Sequence, residues 1–138
     1  MLGITLSTSS AAQLFWEHVD EAAALEDVPS IRALGYRPHL TPTRCAAIEP
    51  SRLQRAMEVF HGEAAISLSF ERVDFFDTDP LVLWLAPRHD QRLLDLHGKL
   101  HAALDAASSS CDANYGPGGG DLISPLRWRS MPRAGPAF

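Results

Sequence analysis

Apolar positions recur along this chain in two rhythms, one near every second residue and one near every third or fourth. The first marks a strand with one buried face and the second an amphipathic helix. Leu2 to Leu6 reads as a short apolar strand. Ser9 or Ser10 then caps a helix whose stripe is Leu14, Phe15, His18, Val19, Ala22 and Leu25. After Gly35 the chain reads as extended through Thr43 to about Cys45, and Pro42 inside that stretch implies an edge or a bulge, because proline cannot donate to a ladder.

Glu49-Pro50-Ser51 opens a second helix, with Leu53, Met57 and Phe60 on one face and Gly62 as its stop. Ile66, Leu68 and Phe70 alternate with Ser67, Ser69 and Glu71, which predicts a strand. The phase slips around Arg72 and Val73, so a bulge is expected before Phe75. Asp77 to Pro80 is a turn, and Leu81 to Leu85 pairs back as a hairpin. From about His89 to Ala107 runs the clearest helix, with Leu93, Leu96, Leu100 and Leu104 as its buried line. Beyond it the periodicity stops. The expected organisation is an α+β core over 1–107 and an irregular Gly-, Pro- and Arg-rich tail over 108–138, with helices laid on largely antiparallel sheet.

At 138 residues, 46% of them hydrophobic and 21% charged, the chain is about one globular domain. A formal net charge of −5 argues against broad binding to long nucleic acid, while leaving room for a local pocket for one phosphate. No apolar run reaches membrane-spanning length, and the first six residues lack a basic, signal-like start. Cys45 and Cys111 are too few for a disulfide framework and lie in no zinc-ligand spacing, so a reducing, cytoplasmic setting is expected.

The candidate chemistry sits at Arg37-Pro38-His39-Leu40-Thr41. On a strand His39 and Thr41 face the same way, which sets an imidazole beside a hydroxyl. The first can move a proton near neutral pH, and the second can hydrogen-bond an anionic oxygen. Arg37 and Arg44 flank the pair, either to steer an anion or simply as solvated surface. His97 and His101, four apart on a helix, share a face that suits either a metal or packing under the sheet; packing is the preferred reading. His61 complements a helix end, and His18 and His89 have no supporting context. Gly116 to Gly120 reads as a linker rather than a phosphate cradle. Phe15, Phe60, Phe70 and Trp84 read as core, and Trp128 as exposed.

Pro38-His39-Leu40-Thr41 resembles the first motif of the 2′-5′ RNA ligase-like, or two-histidine phosphoesterase, superfamily. The order of elements is similar, and so are Leu81-Val82-Leu83-Trp84-Leu85-Ala86-Pro87, Leu96-His97, Leu100-His101 and Tyr115-Gly116-Pro117-Gly118. The resemblance spans about residues 1 to 118. It implies a two-lobed α+β fold, largely antiparallel sheets with helices packed outside, and two His-x-Thr motifs facing each other across a cleft. It further implies metal-independent hydrolysis or joining at 2′,3′-cyclic or 2′-linked nucleotide phosphates, with no cofactor. By it, His39 is the catalytic proton-transfer residue and Thr41 the phosphate-binding one.

The second motif is missing. Where it is expected the chain reads Ser124-Pro125-Leu126-Arg127-Trp128-Arg129-Ser130, and no histidine follows Tyr115. The C-terminal part of the fold is therefore expected to be incomplete, through a reading-frame slip near Pro125 or a natural variant, and activity to be impaired. The implied partner is a nucleotide or RNA end carrying a cyclic or 2′-linked phosphate. The alternatives are a non-catalytic module that binds such an end, or a truncated relative without function. Incomplete sheet edges also invite self-association.

Overall fold

The computed structural model describes residues 1–8, 12–24, 32, 35, 37–76, 82–105, 110–112, 115–116 and 124–125. In chain order these form β1 (Leu2–Ser7), α1 (Gln13–Ala23), β2 (His39–Ala47), α2 (Pro50–Ala56) running into a 3₁₀ turn (Met57–Phe60), β3 (Phe70–Phe76), β4 (Val82–Pro87), α3 (Gln91–Asp105), β5 (Ser110–Cys111) and β6 (Ser124–Pro125). The strands make two antiparallel sheets, ordered β1-β2-β5 and β3-β4-β6. The expectation of an α+β chain with antiparallel sheet holds at this level. The tail expected to be irregular supplies β5 and β6, one strand to each sheet. Through β6, which runs beside β2, the two sheets meet.

The first sheet is covered by α3. Asp90 caps that helix, its Oδ1 accepting the N–H of Leu93 at 2.8 Å. The leucine line falls where the spacing predicts: Leu93 and Leu96 are 4% exposed, Leu100 and Leu104 fully buried. Leu100 and Leu104 join Ile4 of β1 and Leu53 and Ala56 of α2 in the main core, and Leu93 joins Leu40 of β2 in a neighbouring one. Pro50 at the first turn of α2 fits its fixed backbone angle. Met57, expected on the buried face, is 46% exposed. The helix tightens to 3₁₀ at that residue, and the changed pitch turns Val59 to the core in its place, beside Phe60, which packs there as expected. Gly62, at φ +75°, ends the turn.

The second sheet carries α1 over β4, with Val19 on Leu85 and Phe15, Trp16 and Ala23 packed around them. The α1 stripe is therefore rotated from the expected one. Leu14 is 73% exposed and His18 also faces outward, whereas Trp16 faces inward. Among the described side chains α1 meets β4 at Leu85, and a narrow apolar strip suffices for that contact. Ser9, Ser10 and Leu25 lie outside the described residues.

The expected strand over Ile66 to Glu71 is displaced. Ile66 and Leu68 are extended chain packed on the Leu40–Leu93 cluster, and pairing begins only at Phe70. Their alternation reflects burial beside a core rather than membership of a ladder. The expected bulge falls earlier, at Glu71, between the pairs Phe70–Pro87 and Arg72–Ala86. Trp84 is core as read, at 6% exposure; Phe70 is not, at 40%. The turn at Asp77 to Pro80, the glycines beyond Gly116 and Trp128 lie outside the described residues.

Among the described residues no helix is long and apolar enough to cross a membrane. The two cysteines, too few for a framework, form one disulfide all the same: Cys45 of β2 stands directly opposite Cys111 of β5. Spacing in sequence cannot reveal this, because they lie 66 positions apart and only strand pairing brings them together. With that pairing, the ground for expecting a reducing compartment falls away.

Candidate functional site

β2 is the middle strand of its sheet, and Pro42 sits near its centre. A proline there cannot serve a regular ladder, and the chain resolves the conflict with a bulge. Ile4 pairs with Thr43 and Leu6 with Leu40, so Thr5 alone faces both Thr41 and Pro42. Burial follows the slip. His39 and Thr41 are half-buried with Leu40 and Pro42 buried; past the bulge Thr43 and Cys45 are buried and Arg44 half-buried. Before the bulge the odd positions hold the open face, and after it the even ones do. His39 and Thr41 thus share the more open side, as alternation predicts, and Arg44 joins that side through the bulge.

The carbonyl of Pro42 turns to α3. His97 donates to it from Nε2 at 3.1 Å, and His101 from Nε2 at 3.0 Å. Both lone pairs of that oxygen are so filled by two buried imidazoles, 6% and 5% exposed. The His97 Nε2–H also reaches the carbonyl of Tyr115 at 2.7 Å. Because a carbonyl only accepts, both rings are held as the Nε2–H tautomer, and their centroids lie 4.5 Å apart, edge to face. Burial holds His97 below the ordinary imidazole range; the bond to Tyr115 opposes that shift and the neighbouring His101 adds to it. The two histidines read as packing residues do pack. Among the described residues no group of three or more His, Cys, Asp or Glu side chains could hold a metal ion.

His39 is set by its own strand. Its Nδ1 lies 2.7 Å from the carbonyl of Arg37, so Nδ1 carries the hydrogen and Nε2 the lone pair in the neutral ring. That tautomer suits a group that must accept a proton. Arg44 is not a bare cation beside it: its guanidinium pairs with Asp112 at 3.0 Å and lies 5.7 Å from the centre of the Tyr115 ring. Asp112 also donates its N–H to the Arg44 carbonyl at 2.8 Å, and Tyr115 its own to the Asp112 carbonyl at 3.1 Å. Disulfide, ion pair and these bonds fasten residues 110–112 to β2 and tie Tyr115 to Asp112. Tyr115 in turn holds His97 against the bulge.

Sequence reasoning missed Pro42 as the carbonyl hub, Tyr115 as an acceptor and the Cys45–Cys111 link. Two signals pointed at the first: a proline inside a strand, and two histidines one helical turn apart. No protein-family model matches the chain, and no curated protein or solved structure does either.

Proposed function

We propose that this chain is a 2′-5′ RNA ligase-like protein that holds a cyclic or 2′-linked nucleotide phosphate at His39 and Thr41 of β2. The observation that carries the reading is the His39 tautomer. Nδ1 donates to the Arg37 carbonyl on the partly open side of the strand, alongside a hydroxyl two residues away. In hydrolysis of a 2′,3′-cyclic phosphate, His39 takes the proton of the attacking water as the P–O bond to the incoming oxygen forms. Thr41 holds a non-bridging oxygen of the phosphate. The leaving ribose oxygen needs a proton as its bond to phosphorus breaks, and in this reading solvent supplies it.

That last step is where the chain is weak. Ser124–Pro125 of β6, the stretch that follows Tyr115 where a second histidine motif is expected, pairs with β4 and runs beside β2, and it brings no imidazole. Losing one positioned proton donor costs roughly 10²–10⁴-fold in rate. Slow turnover is therefore expected. The same absence favours a second reading, in which the half-site binds a phosphate end without turning it over.

The test is hydrolysis of a 2′,3′-cyclic nucleotide in excess chelator, run beside His39→Ala and Thr41→Ala. Slow turnover that survives chelation, vanishes in His39→Ala and shows a raised KM in Thr41→Ala is expected. Saturable binding without turnover, lost in Thr41→Ala, selects the second reading. Turnover unchanged in His39→Ala overturns the site, and so does a folded chain that neither turns over nor binds the nucleotide.

A further inference from the structure

β3 is the outer strand of its sheet, paired on one side with β4 and, among the described residues, with nothing on the other. Its apolar positions are also left uncovered. Val73 is 53% and Phe75 55% exposed, although Val73 stands directly opposite Leu85, which is 7% exposed under α1. The apolar layer that α1 makes with β4 thus stops one strand short. Open edges are ordinarily guarded by charge, and β3 carries Glu71, Arg72 and Asp74. Their order is also symmetric. Arg72 and Asp74 lie symmetrically about Val73, the midpoint of the seven-residue strand Phe70–Phe76.

From this arrangement we infer that β3 pairs antiparallel with β3 of a second copy of this chain, about a two-fold axis through Val73. In that register Arg72 faces the partner's Asp74, Asp74 faces the partner's Arg72, and Val73 faces the partner's Val73. All seven residues of each strand overlap, and the two sheets become one. Other registers are worse. A slip of one residue sets Glu71 against the partner's Asp74, or in the other direction loses both Arg72–Asp74 pairs. A slip of two sets Arg72 against the partner's Arg72, or Asp74 against the partner's Asp74. Like charges directly opposed on a sheet destabilise it. The side chains involved are accessible, 51% for Arg72 and 37% for Asp74, and already within 3.2 Å of each other in one protomer. The bulge at Glu71 lies outside the central pairs, so Arg72 to Asp74 are regular strand. This inference is independent of the phosphate site.

Sedimentation of the intact, oxidised chain over a concentration series tests it. Mass that rises to twice the protomer's is expected, with loss of the dimer in Arg72→Asp and its return in the double variant Arg72→Asp with Asp74→Arg. Cross-linking is the second measurement, should the charge variants fail to fold. Val73→Cys places two thiols face to face across the axis. Phe75→Cys places them four residues apart, about 14 Å at the rise of a strand, too far for a disulfide. Mild oxidation should join protomers of the first variant and not of the second. A chain that stays monomeric throughout overturns the inference. A dimer indifferent to Arg72→Asp, or equal cross-linking at both positions, does the same.

Discussion

The two sheets are built from similar strands and end in opposite conditions. The β1-β2-β5 sheet has a leucine-lined helix across it, a disulfide at its short strand and two imidazoles on one carbonyl of its bulge. The β3-β4-β6 sheet has one helix over one strand and leaves Val73 and Phe75 more than half exposed. Strand pairing alone therefore does not decide how well a sheet is covered. What differs is how much of each sheet's apolar face is removed from water, and how many links fix its edges. The covered sheet holds the candidate site, and the uncovered one offers a surface.

The comparison breaks most sharply at the disulfide. With its cysteines 66 positions apart, closing that loop is worth about 4 kcal/mol by chain entropy. Cys45→Ala with Cys111→Ala should lower the unfolding free energy by about that amount, measured by urea denaturation without reductant. It should also release β5, so that amide exchange at position 111 and at Asp112 rises first. Next comes Leu100→Ala, which opens a cavity where α3 meets β1 and α2. A fully buried leucine costs about 3 kcal/mol on truncation. A loss below 1 kcal/mol would show that α3 is not the main cover of this sheet.

His97→Ala strips one donor from the Pro42 carbonyl and the donor to Tyr115, for about 2 kcal/mol. The same residue gives the sheet a pH dependence. Burial lowers its folded pKa below the ordinary 6.5. Between those two values the unfolded chain holds a proton that the folded chain does not, so stability rises with pH there. The contribution is whole above about 6.5 and is lost as pH falls from there through the lowered value. His97→Gln, which keeps a donor without titrating, should flatten that slope in thermal melts taken from pH 7.5 to 5. An unchanged slope would assign it to another group.

Much of the covered sheet was legible because its signals are local. Leu93, Leu96, Leu100 and Leu104 repeat at helical spacing, Pro50 and Gly62 bound a helix, and Pro42 forces a bulge wherever its strand pairs. The shared face of His39 and Thr41 follows from alternation before that bulge. The Cys45–Cys111 link and the Tyr115 carbonyl on His97 depend on where residues far apart in sequence come to rest, and no local pattern encodes that. On the other sheet, periodicity marked apolar positions without saying which would be covered. Leu14 and Phe70 were read as buried because they are hydrophobic and in phase, yet coverage is set by the neighbouring element. Here, among the described side chains, α1 covers Leu85 and leaves Val73 and Phe75 exposed.

The smallest effect sharpens the comparison most directly. Phe75→Ser removes a large aromatic side chain from β3, where it is already 55% exposed. Such a residue has little contact to lose within its own protomer, and a surface substitution of this kind shifts stability by about 0.5 kcal/mol or less. Serine also lowers strand propensity slightly, which sets the direction as a small loss. Measured by urea denaturation at a concentration dilute enough to keep the chain monomeric, the change should be near the error of the method. The same substitution at higher concentration removes apolar surface from the edge and should weaken self-association. A loss of 2 kcal/mol or more in the dilute chain would mean that Phe75 is packed within its protomer. The two sheets would then be alike in coverage, and the contrast drawn between them would fail.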